Sequence, residues 1–479
     1  MSQPRPTAEI SAALRLNAEA AASGACAPRA IACIGAGYIG GPTMAVIAQQ
    51  CPEIEVWVVD RDSAKIAAWN SEELPVYEPG LEEIVRACRG RNLFFSTDMA
   101  AAIRRCSLIF VGVNTPTKTF GEGAGYASDL QFWEAAARTI AAEADGDKIV
   151  VEKSTLPVRT ADAMAAVLHT HPEHNFTVLS NPEFLAEGTA IEDLLHPDRV
   201  LIGGPETPAG REAVAKLSAI YAAWVPREKI LATNVWSSEL SKLAANAMLA
   251  QRLSSINAFS ALCEVTGADV EEVAHVLGMD RRIGPHFLRA GPGFGGSCFK
   301  KDVLSLVYLC RSYGLETCAD YWEGVIAMND FQQRRIVERT VHALFNTLSG
   351  KRLALFGFAF KAHTGDTREA PAIAIARRLL AERAKLVITD PRALANARRD
   401  LAGEPGVAFA SSPYEAAEGA DAILLLTEWP EYRGLDWARI YRAMRKPALL
   451  FDARNLLDHA ALRALGFRVL AVGKPAGEP

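Results

Sequence analysis

"RAIACIGAGYIGGPTMAVIAQQCPEIEVWVVDRD", residues 29–62, has the pattern of a β-strand, a glycine turn, a helix and a second β-strand. Gly35 permits the tight turn, Gly37 lets the backbone approach a pyrophosphate, and Gly40 lets the helix pack closely on the strand. Asp60 ends the second strand, where its carboxylate can accept hydrogen bonds from ribose hydroxyls and repel a 2′-phosphate. The segment therefore predicts a binding site for NAD rather than NADP.

Two further strand-like runs end in turns that are rich in hydroxyl groups. The run CSLIFVGVNTPT covers residues 106–117, and the run DKIVVEKSTLPVRT covers residues 147–160. Ligands of a doubly wound sheet lie beyond the carboxyl ends of its strands, so we expect both turns to line the cofactor cleft. Each turn taken alone is equally typical of an ordinary loop. The candidate residues in these turns are Val113, Thr115, Thr117, Ser154 and Thr155.

The bulk properties are those of a globular protein with more than one domain. A chain of 479 residues is too long for one hydrophobic core, which predicts two or three domains. The formal net charge of −5 favours neither nucleic acid nor an anionic membrane as a partner, and no apolar run is long enough for a membrane span. Nine cysteines without a CxxC pair indicate no disulfide framework and no metal site, so we expect a reducing, cytoplasmic location. Residues 1–28 are expected to form a flexible N-terminal extension.

The segment GFGGSCFKKD, residues 293–302, places a cysteine at the start of a predicted helix. Ser297 is a suitable N-cap, so Cys298 is expected in the first turn, where the helix dipole and the two following lysines favour its thiolate form. Asp302 follows on the same helical face, where it could accept a proton or orient a water molecule. The alternative is that Cys298 is a small buried thiol with only a packing role.

A reactive cysteine in a nucleotide-dependent oxidoreductase suggests an oxidation that continues past the aldehyde. Loss of hydride from a primary alcohol gives an aldehyde, which has no second hydride to lose until a nucleophile adds to it. A thiol adds to give a thiohemiacetal, the next hydride passes to a second NAD, and water hydrolyses the resulting thioester to an acid. Cys298 could therefore let one site perform two oxidations.

A stretch rich in alanine and leucine, residues 233–269, predicts a long central helix. Lys242 and Asn246 lie one turn apart on this helix, and both are costly to bury unless they face a polar cavity. Glu183 and Glu187 would share one face if their own segment were helical. From that spacing alone, a surface helix with two exposed glutamates is the simpler interpretation.

Residues 351–391 repeat the order of strand, glycine turn, helix and strand with a final acid. Gly357 and Asp390 correspond in position to Gly35 and Asp60, but the full glycine fingerprint is missing. We therefore predict a second Rossmann-like α/β domain that has lost NAD binding. The cations that this domain could offer to a diphosphate, unless they are ordinary surface charges, are Lys361, Arg368 and Arg454.

Six motifs along the chain carry a resemblance to a known family. They are GAGYIGGPT, VNTPTK, VEKSTLPVRT, SNPEFLAEGTAI, FGGSCF and GFAFK...TGDTRE, in this order and at suitable spacing. From about residue 29 to about residue 470 the chain resembles the UDP-glucose/GDP-mannose dehydrogenase superfamily. The resemblance implies an α/β fold of two Rossmann-like doubly wound domains joined by a long central helix. It further implies an NAD-binding domain at 29–233, a dimerisation region with the catalytic cysteine at 234–335, and a UDP-sugar-binding domain at 336–479.

The same resemblance implies a reaction and the residues that perform it. The reaction is the NAD-dependent oxidation of UDP-glucose to UDP-glucuronate through a thiohemiacetal and a thioester on Cys298. Glu183 would be the general base for thioester hydrolysis, and Thr155 would help to hold a catalytic water. The residues expected to stabilise the oxyanion and handle the proton of the first oxidation are Lys242, Asn246 and Asp302.

The resemblance also implies two sets of binding residues. The implied NAD contacts are Gly35, Gly37, Tyr38, Ile39, Gly40, Asp60, Lys65, Val113, Thr115, Thr117, Ser154, Thr155, Glu187 and Arg368. The implied UDP-sugar contacts are Glu183, Phe184, Leu185, Glu187, Lys242, Asn246, Arg282, Phe287, Arg289, Phe294, Gly295, Phe360, Lys361 and Arg454. Arg282 resembles an arginine that reaches the substrate of a partner subunit, which implies at least a homodimer built on the central helix and leaves a hexamer open.

Three alternatives stand beside this interpretation. A sister dehydrogenase acting on GDP-mannose or a UDP-N-acetylhexosamine would share the cysteine and the glycines. A non-catalytic nucleotide-sugar sensor would be expected to lack Cys298, Lys242 or Asp302, and all three are present. A single-step 3-hydroxyacid dehydrogenase would share the first domain but needs no cysteine.

Overall fold

The computed structural model describes residues 27–475 and divides the chain into two compact units between Ala245 and Asn246. The predicted extension at residues 1–28 lies outside the described part except for its last two positions. Within residues 27–475, none of the helices combines the length and the apolar character that a membrane span requires. Each unit is built around one sheet.

The first unit contains an eight-stranded sheet. Its strands are β1 (Ala30–Ile34), β2 (Glu55–Val59), β3 (Leu93–Ser96), β4 (Leu108–Val111), β5 (Lys148–Glu152), β6 (Phe176–Ser180), β7 (Val200–Gly203) and β8 (Ile230–Thr233). They lie in the order β3-β2-β1-β4-β5-β6-β7-β8, and the first six have the strand order of a dinucleotide-binding fold. β1 to β6 are parallel, whereas β7 pairs antiparallel to β6 and parallel to β8.

Helices cover both faces of this sheet. They are α1 (Gly40–Gln50), α2 (Ser63–Trp69), α3 (Leu81–Cys88), α4 (Met99–Arg105), α5 (Gln131–Glu143), α6 (Thr160–Leu168), α7 (Ala190–Leu195) and α8 (Pro208–Tyr221). Successive strand residues point to opposite faces, so Ile31 and Cys33 belong to one buried apolar cluster and Ala32 and Ile34 to another. Burial on both faces explains why the strands are nearly continuous apolar runs.

The helix α9 (Val235–Thr266) is 32 residues long, and it begins in the first unit and ends in the second. The other helices of the second unit are α10 (Val270–Met279), α11 (Phe299–Ser312), α12 (Glu316–Ala343), α13 (Pro371–Ala381), α14 (Leu394–Asp400), α15 (Pro413–Ala417), α16 (Trp437–Ala443) and α17 (His459–Ala464). Short 3₁₀ turns occur at Arg227–Lys229 and Pro430–Gly434. The predicted long central helix is confirmed.

The second unit contains a six-stranded parallel sheet. Its strands are β9 (Arg352–Phe356), β10 (Lys385–Thr389), β11 (Val407–Phe409), β12 (Ala422–Leu425), β13 (Leu449–Asp452) and β14 (Arg468–Ala471). The order β11-β10-β9-β12-β13-β14 repeats the order of the first six strands of the other sheet. The predicted α/β class, with two Rossmann-like domains joined by a long helix, is confirmed.

The turn after β9 explains how the second sheet differs from the first. Gly357 has φ +90°, and Asp390 accepts hydrogen bonds from the backbone N–H groups of Phe358 and Ala359. Asp390 is buried and also accepts a hydrogen bond from the indole N–H of Trp429. Since these internal donors occupy the carboxylate, it is poorly placed to receive ribose hydroxyls.

Candidate active site

The glycine turn after β1 has the conformation that a pyrophosphate site requires. Gly35 has φ +109°, and a Cβ atom there would lie 2.5 Å from the carbonyl oxygen of Gly112. A Cβ atom at Gly40 would lie 2.0 Å from the carbonyl oxygen of Gly35, so α1 can begin here only with glycine. Gly37 faces open space, with no atom within 4 Å of an added Cβ. The turn therefore fits NAD, whose pyrophosphate needs this close approach to the backbone at a helix N-terminus.

Asp60 lies at the carboxyl end of β2, beside this turn. Its two oxygens accept hydrogen bonds from the backbone N–H groups of Ala36 and Asp62, both at 3.0 Å. The ammonium of Lys65 lies 2.9 Å from the same carboxylate. Burial alone would raise the pKa of Asp60, but the Asp62 N–H, Lys65 and the Ala36 N–H together lower it. Asp60 is therefore an anion, which suits ribose hydroxyls and disfavours a 2′-phosphate.

The turns after β4 and β5 are joined by hydrogen bonds. The Ser154 hydroxyl donates to the carbonyl oxygen of Val113 at 2.6 Å, and the Thr115 hydroxyl donates to that of Thr155 at 3.0 Å. Thr117 forms an isolated β-bridge with Ser128 just beyond. The structure thus brings the two turns together, although each was predicted separately from its own strand.

Two residues inside the glycine turn, Tyr38 and Ile39, precede α1 directly. The Tyr38 hydroxyl accepts a hydrogen bond from the backbone N–H of Gly188 at 3.4 Å. This contact brings the segment that contains Glu187 next to the turn. Arg368 belongs to the second unit, where its guanidinium lies 2.6 Å from the carboxylate of Asp366.

Glu183 is buried, with 7% of its surface exposed, so the interpretation as an exposed surface helix is wrong. Residues 181–189 are irregular, and α7 begins only at Ala190. The Asn181 N–H still bonds across to the carbonyl oxygen of Glu152, and Pro182 favours an extended conformation for Asn181, so the segment does not become helical directly after β6. Glu183 and Glu187 therefore share no helical face.

Glu183 has two polar neighbours on one of its oxygens. Oε1 accepts a hydrogen bond from the Thr155 hydroxyl at 3.3 Å, and the Lys242 ammonium lies 3.6 Å away. Oε2 is buried and has no hydrogen-bond partner among residues 27–475. A buried carboxylate with one open oxygen can accept a proton from a water molecule that is bound there.

The cleft around Glu183 contains further charged groups. The guanidinium of Arg199 lies 3.8 Å from the ring centroid of Phe184, and the Lys242 ammonium lies 5.4 Å from it. Leu185 belongs to the same lining. The predicted contacts Glu183, Phe184, Leu185 and Lys242 are thus brought together.

Sequence reasoning missed a buried polar group in this cleft, formed by Lys153, Asn181 and Tyr221. The Lys153 ammonium donates to Asn181 Oδ1 at 3.1 Å and to the Tyr221 hydroxyl at 3.4 Å. The Tyr221 hydroxyl donates to the same Asn181 oxygen at 2.6 Å. Burial lowers the pKa of Lys153 to about 8, with the charge of Glu183 opposing the shift and that of Lys242 adding to it. The sequence feature that could have indicated this polar group is a lysine directly after a buried strand.

Cys298 is itself the N-cap of α11, which begins at Phe299. The prediction that Ser297 is the N-cap and that Cys298 lies in the first turn is therefore wrong by one residue. The Cys298 carbonyl oxygen accepts the Asp302 N–H at 2.9 Å, which is the first bond of the helix. The side chain is partly exposed and makes no capping bond, and Ser297 Oγ lies 3.4 Å from its sulfur.

A buried amide–carboxylate pair lies in the same unit as Cys298. Asn246 Nδ2 donates to Asp302 Oδ2 at 2.6 Å, and both side chains are buried. The Lys301 ammonium lies 2.9 Å from the other oxygen of Asp302, whereas Lys300 pairs with Glu369 at 2.8 Å. Both lysines beside the cysteine therefore have carboxylate partners.

The glycine loop before Cys298 packs against the second sheet. A Cβ atom at Gly295 would lie 2.5 Å from the carbonyl oxygen of Glu369 and 3.0 Å from Cβ of Phe360. The Phe294 N–H donates to Asn329 Oδ1 at 2.8 Å. Arg454 donates to the carbonyl oxygen of Phe360 at 3.0 Å.

The cations of this unit differ in their surroundings. Arg454 lies 3.0 Å from the carboxylate of Glu428, and the Lys361 ammonium lies 5.6 Å from the ring centroid of Phe360. The structure leaves three predicted substrate contacts exposed on the surface. The side chain of Arg282 is 89% exposed and pairs with Asp280. The other two exposed positions are Phe287 and Arg289.

These groups define a class of enzyme. The first unit provides a nucleotide-binding turn and a buried carboxylate, and the second provides a partly exposed thiol beside a buried amide–carboxylate pair. Such a set is typical of a dinucleotide-dependent dehydrogenase with a covalent intermediate.

Comparison with known proteins specifies that class. Models of the UDP-glucose/GDP-mannose dehydrogenase family match three segments: the NAD binding domain over residues 29–225, the central domain over 236–331 and the UDP binding domain over 354–459. The chain belongs to this family, and the prediction of NAD as cofactor is confirmed.

Several relatives are similar over nearly the whole chain. UDP-glucose 6-dehydrogenase 2 of Oryza sativa subsp. japonica is 57% identical over 467 residues, which cover 93% of this chain and 97% of that protein. UDP-glucose 6-dehydrogenase of Mus musculus is 56% identical over 458 residues, covering 93% of each. The structure of a UDP-glucose dehydrogenase from Pyrobaculum islandicum superposes with a TM-score of 0.83 at 30% identity, covering 95% of this chain and 99% of that one.

Proposed function

We propose that this chain oxidises UDP-glucose to UDP-glucuronate with two molecules of NAD, through covalent intermediates on Cys298. The observation that carries the proposal is the partly exposed Cys298 at the start of α11, in a unit that also holds the buried Asn246–Asp302 pair. Relatives at 55–57% identity that are named UDP-glucose 6-dehydrogenases favour this substrate over other nucleotide sugars.

The first oxidation requires a group that takes the proton of the sugar 6-hydroxyl. NAD supplies a hydride acceptor when it is bound. We assign proton acceptance to Asp302, through an ordered water, because this buried carboxylate is held in place by Asn246. Lys242 and Asn246 supply N–H groups that stabilise the oxyanion as it develops.

The second oxidation and hydrolysis use the sulfur and a base. Cys298 adds to the aldehyde carbon to give a thiohemiacetal, which loses hydride to become a thioester. Glu183 then removes a proton from the attacking water, which its open oxygen Oε2 can receive. Thr155 positions Glu183 through its hydroxyl at 3.3 Å.

Binding of the substrate diphosphate is assigned to the second unit. Arg454 and Lys361 provide positive charge for the diphosphate, and Gly295 and Phe360 form the adjoining surface. We assign NAD binding to residues 29–233, the cysteine and dimerisation to 234–335, and UDP-sugar binding to 336–479. Arg282 is assigned to the substrate of a partner subunit, so the competent unit is at least a homodimer. The eight free cysteines among the described residues favour the cytoplasm.

The proposal is tested by counting NADH for each sugar consumed. The purified chain is given limiting UDP-glucose, GDP-mannose or UDP-N-acetylglucosamine with excess NAD, and absorbance at the NADH band is followed to completion. We expect two NADH for each UDP-glucose and no reaction with the other two sugars. One NADH for each UDP-glucose would contradict the covalent two-step scheme, and equal turnover of GDP-mannose would contradict the substrate.

A further inference from the structure

Lys153 is a buried ammonium group that the proposed reaction leaves without a role. It directly follows β5, and its two hydrogen-bond acceptors, Asn181 Oδ1 and the Tyr221 hydroxyl, are neutral. Among residues 27–475 no carboxylate lies within ion-pair distance of it. Burying an ammonium without a counter-ion is costly, so its charge acts on the neighbouring groups with little screening.

Among the neighbouring charged groups, Glu183 has the strongest electrostatic interaction with Lys153. Both residues line one cleft, and Asn181, which accepts from Lys153, stands two residues before Glu183 in the chain. The negative charge of Glu183 raises the pKa of Lys153 against the effect of burial. The Lys153 ammonium therefore places a positive charge in the cleft that contains the Glu183 carboxylate.

We propose that Lys153 is a positioning residue for thioester hydrolysis, which supplies positive charge to the cleft of Glu183 and fixes the Glu183 segment through Asn181. The inference rests on the proposed function of Glu183 as the base in that step. A base must be ionised before it can take a proton from water, and positive charge nearby favours the ionised form of a carboxyl group. Lys242 contributes charge from α9, and Lys153 contributes it from the end of β5.

Other titratable groups face this pair. From β1, Cys33 is fully buried, and burial raises the pKa of its thiol to about 12, so it is neutral at working pH. From α8, the buried Tyr221 stays neutral too, because burial raises the pKa of its hydroxyl. The ionisable groups lining the rest of the cleft are Asp193, His196, Asp198 and Arg199.

The test compares Lys153→Met with Tyr221→Phe across pH 6 to 10. Lys153→Met removes the charge and keeps the chain length, whereas Tyr221→Phe removes a polar contact of the same cluster and leaves the ammonium. For each variant, the burst of NADH reports the two hydride transfers, and the steady rate reports thioester hydrolysis. Melting temperature and NAD affinity check that each variant is folded.

For Lys153→Met we expect a normal burst and a steady rate that is lower at the acid end of the range, by at most about tenfold. The rate should recover as the pH is raised, with the midpoint of the rising limb displaced upward by about one pH unit. Tyr221→Phe should keep the wild-type midpoint. A loss of rate that is the same at every pH, or an unchanged midpoint in Lys153→Met, would overturn the proposal.

A second variant and a wild-type control separate the possible outcomes of this test. Lys153→Gln retains a donor for Asn181, so it replaces the methionine variant if that one fails to fold, with the same displacement expected. The wild-type chain is first shown to give two NADH for each UDP-glucose. If it gives one or none, the proposed function fails; if it gives two and the midpoint is unmoved, only the role of Lys153 fails.

Discussion

Glu152 and Glu239 form a buried acid pair whose proton should make the fold depend on pH. Glu152 ends β5, Glu239 lies on α9, and both are almost fully buried. Glu239 accepts the backbone N–H groups of Arg159 and Ala161 at 2.8 and 2.9 Å, at the start of α6. Burial, and then the charge of Glu239, raise the pKa of Glu152 well above its ordinary value of 4.5. One proton on Glu152 converts two repelling carboxylates into an acid–carboxylate hydrogen bond.

The sign and size of the effect follow from linkage. Between pH 4.5 and the raised pKa of Glu152, the folded chain holds a proton that the unfolded chain releases. The free energy of unfolding therefore falls by about 1.4 kcal/mol for each pH unit in that window, from this group alone.

Replacing Glu152 by glutamine should remove this dependence. The amide N–H of Glu152→Gln can donate to Glu239 at every pH, so the variant should match the wild type near pH 5 and exceed it at pH 7. For a unit of this size, about 1.4 kcal/mol for each pH unit within that window corresponds to roughly 3–6 °C in the melting temperature. Scanning calorimetry at pH 5, 6 and 7 measures it, with Glu173→Gln, an exposed acid of the same unit, as the control. A melting-temperature difference that is constant with pH would refute the reasoning.

Three further substitutions test the site. Gly35→Ala should abolish NAD binding in titration calorimetry and lower the free energy of unfolding by about 1–3 kcal/mol. The reason is that φ is +109° and the new Cβ would lie 2.5 Å from a carbonyl oxygen. An affinity for NAD equal to that of the wild type would contradict the turn geometry. Thr155→Val removes the hydroxyl on Glu183 and should slow hydrolysis about tenfold with an unchanged NADH burst in stopped flow; a slowed burst would contradict its assignment to hydrolysis. Asp302→Asn should reduce the first hydride transfer at least about 100-fold, and a normal burst would remove Asp302 from that step.

The features that sequence could predict are those with a local physical cause. The glycine turn at Gly35 to Gly40 and the acid at Asp60 follow from steric and charge rules that act over about thirty residues. The long helix followed from composition, and the second Rossmann-like domain from a repeat of the same local order. None of these predictions depends on contacts between distant segments of the chain.

The features that escaped prediction depend on contacts between distant segments. Spacing alone favours a surface position for Glu183, because it cannot show that β5 and β6 bring Thr155 and Asn181 around this residue. Lys153 was overlooked because its acceptors lie 28 and 68 residues away in the chain. The displacement of the N-cap from Ser297 to Cys298 is a one-residue error, which propensity rules cannot resolve.

The central claim is that sulfur of Cys298 carries the sugar between the two oxidations and until hydrolysis. The most direct measurement uses Glu183→Gln, which lacks the hydrolytic base, mixed with UDP-glucose and excess NAD, quenched in acid and analysed by peptide mass spectrometry. We predict two NADH for each active site, followed by arrest, and a UDP-glucuronyl mass on the peptide that contains Cys298. An arrest after one NADH, or an adduct-free Cys298 in a variant that has stopped after two, would contradict the account.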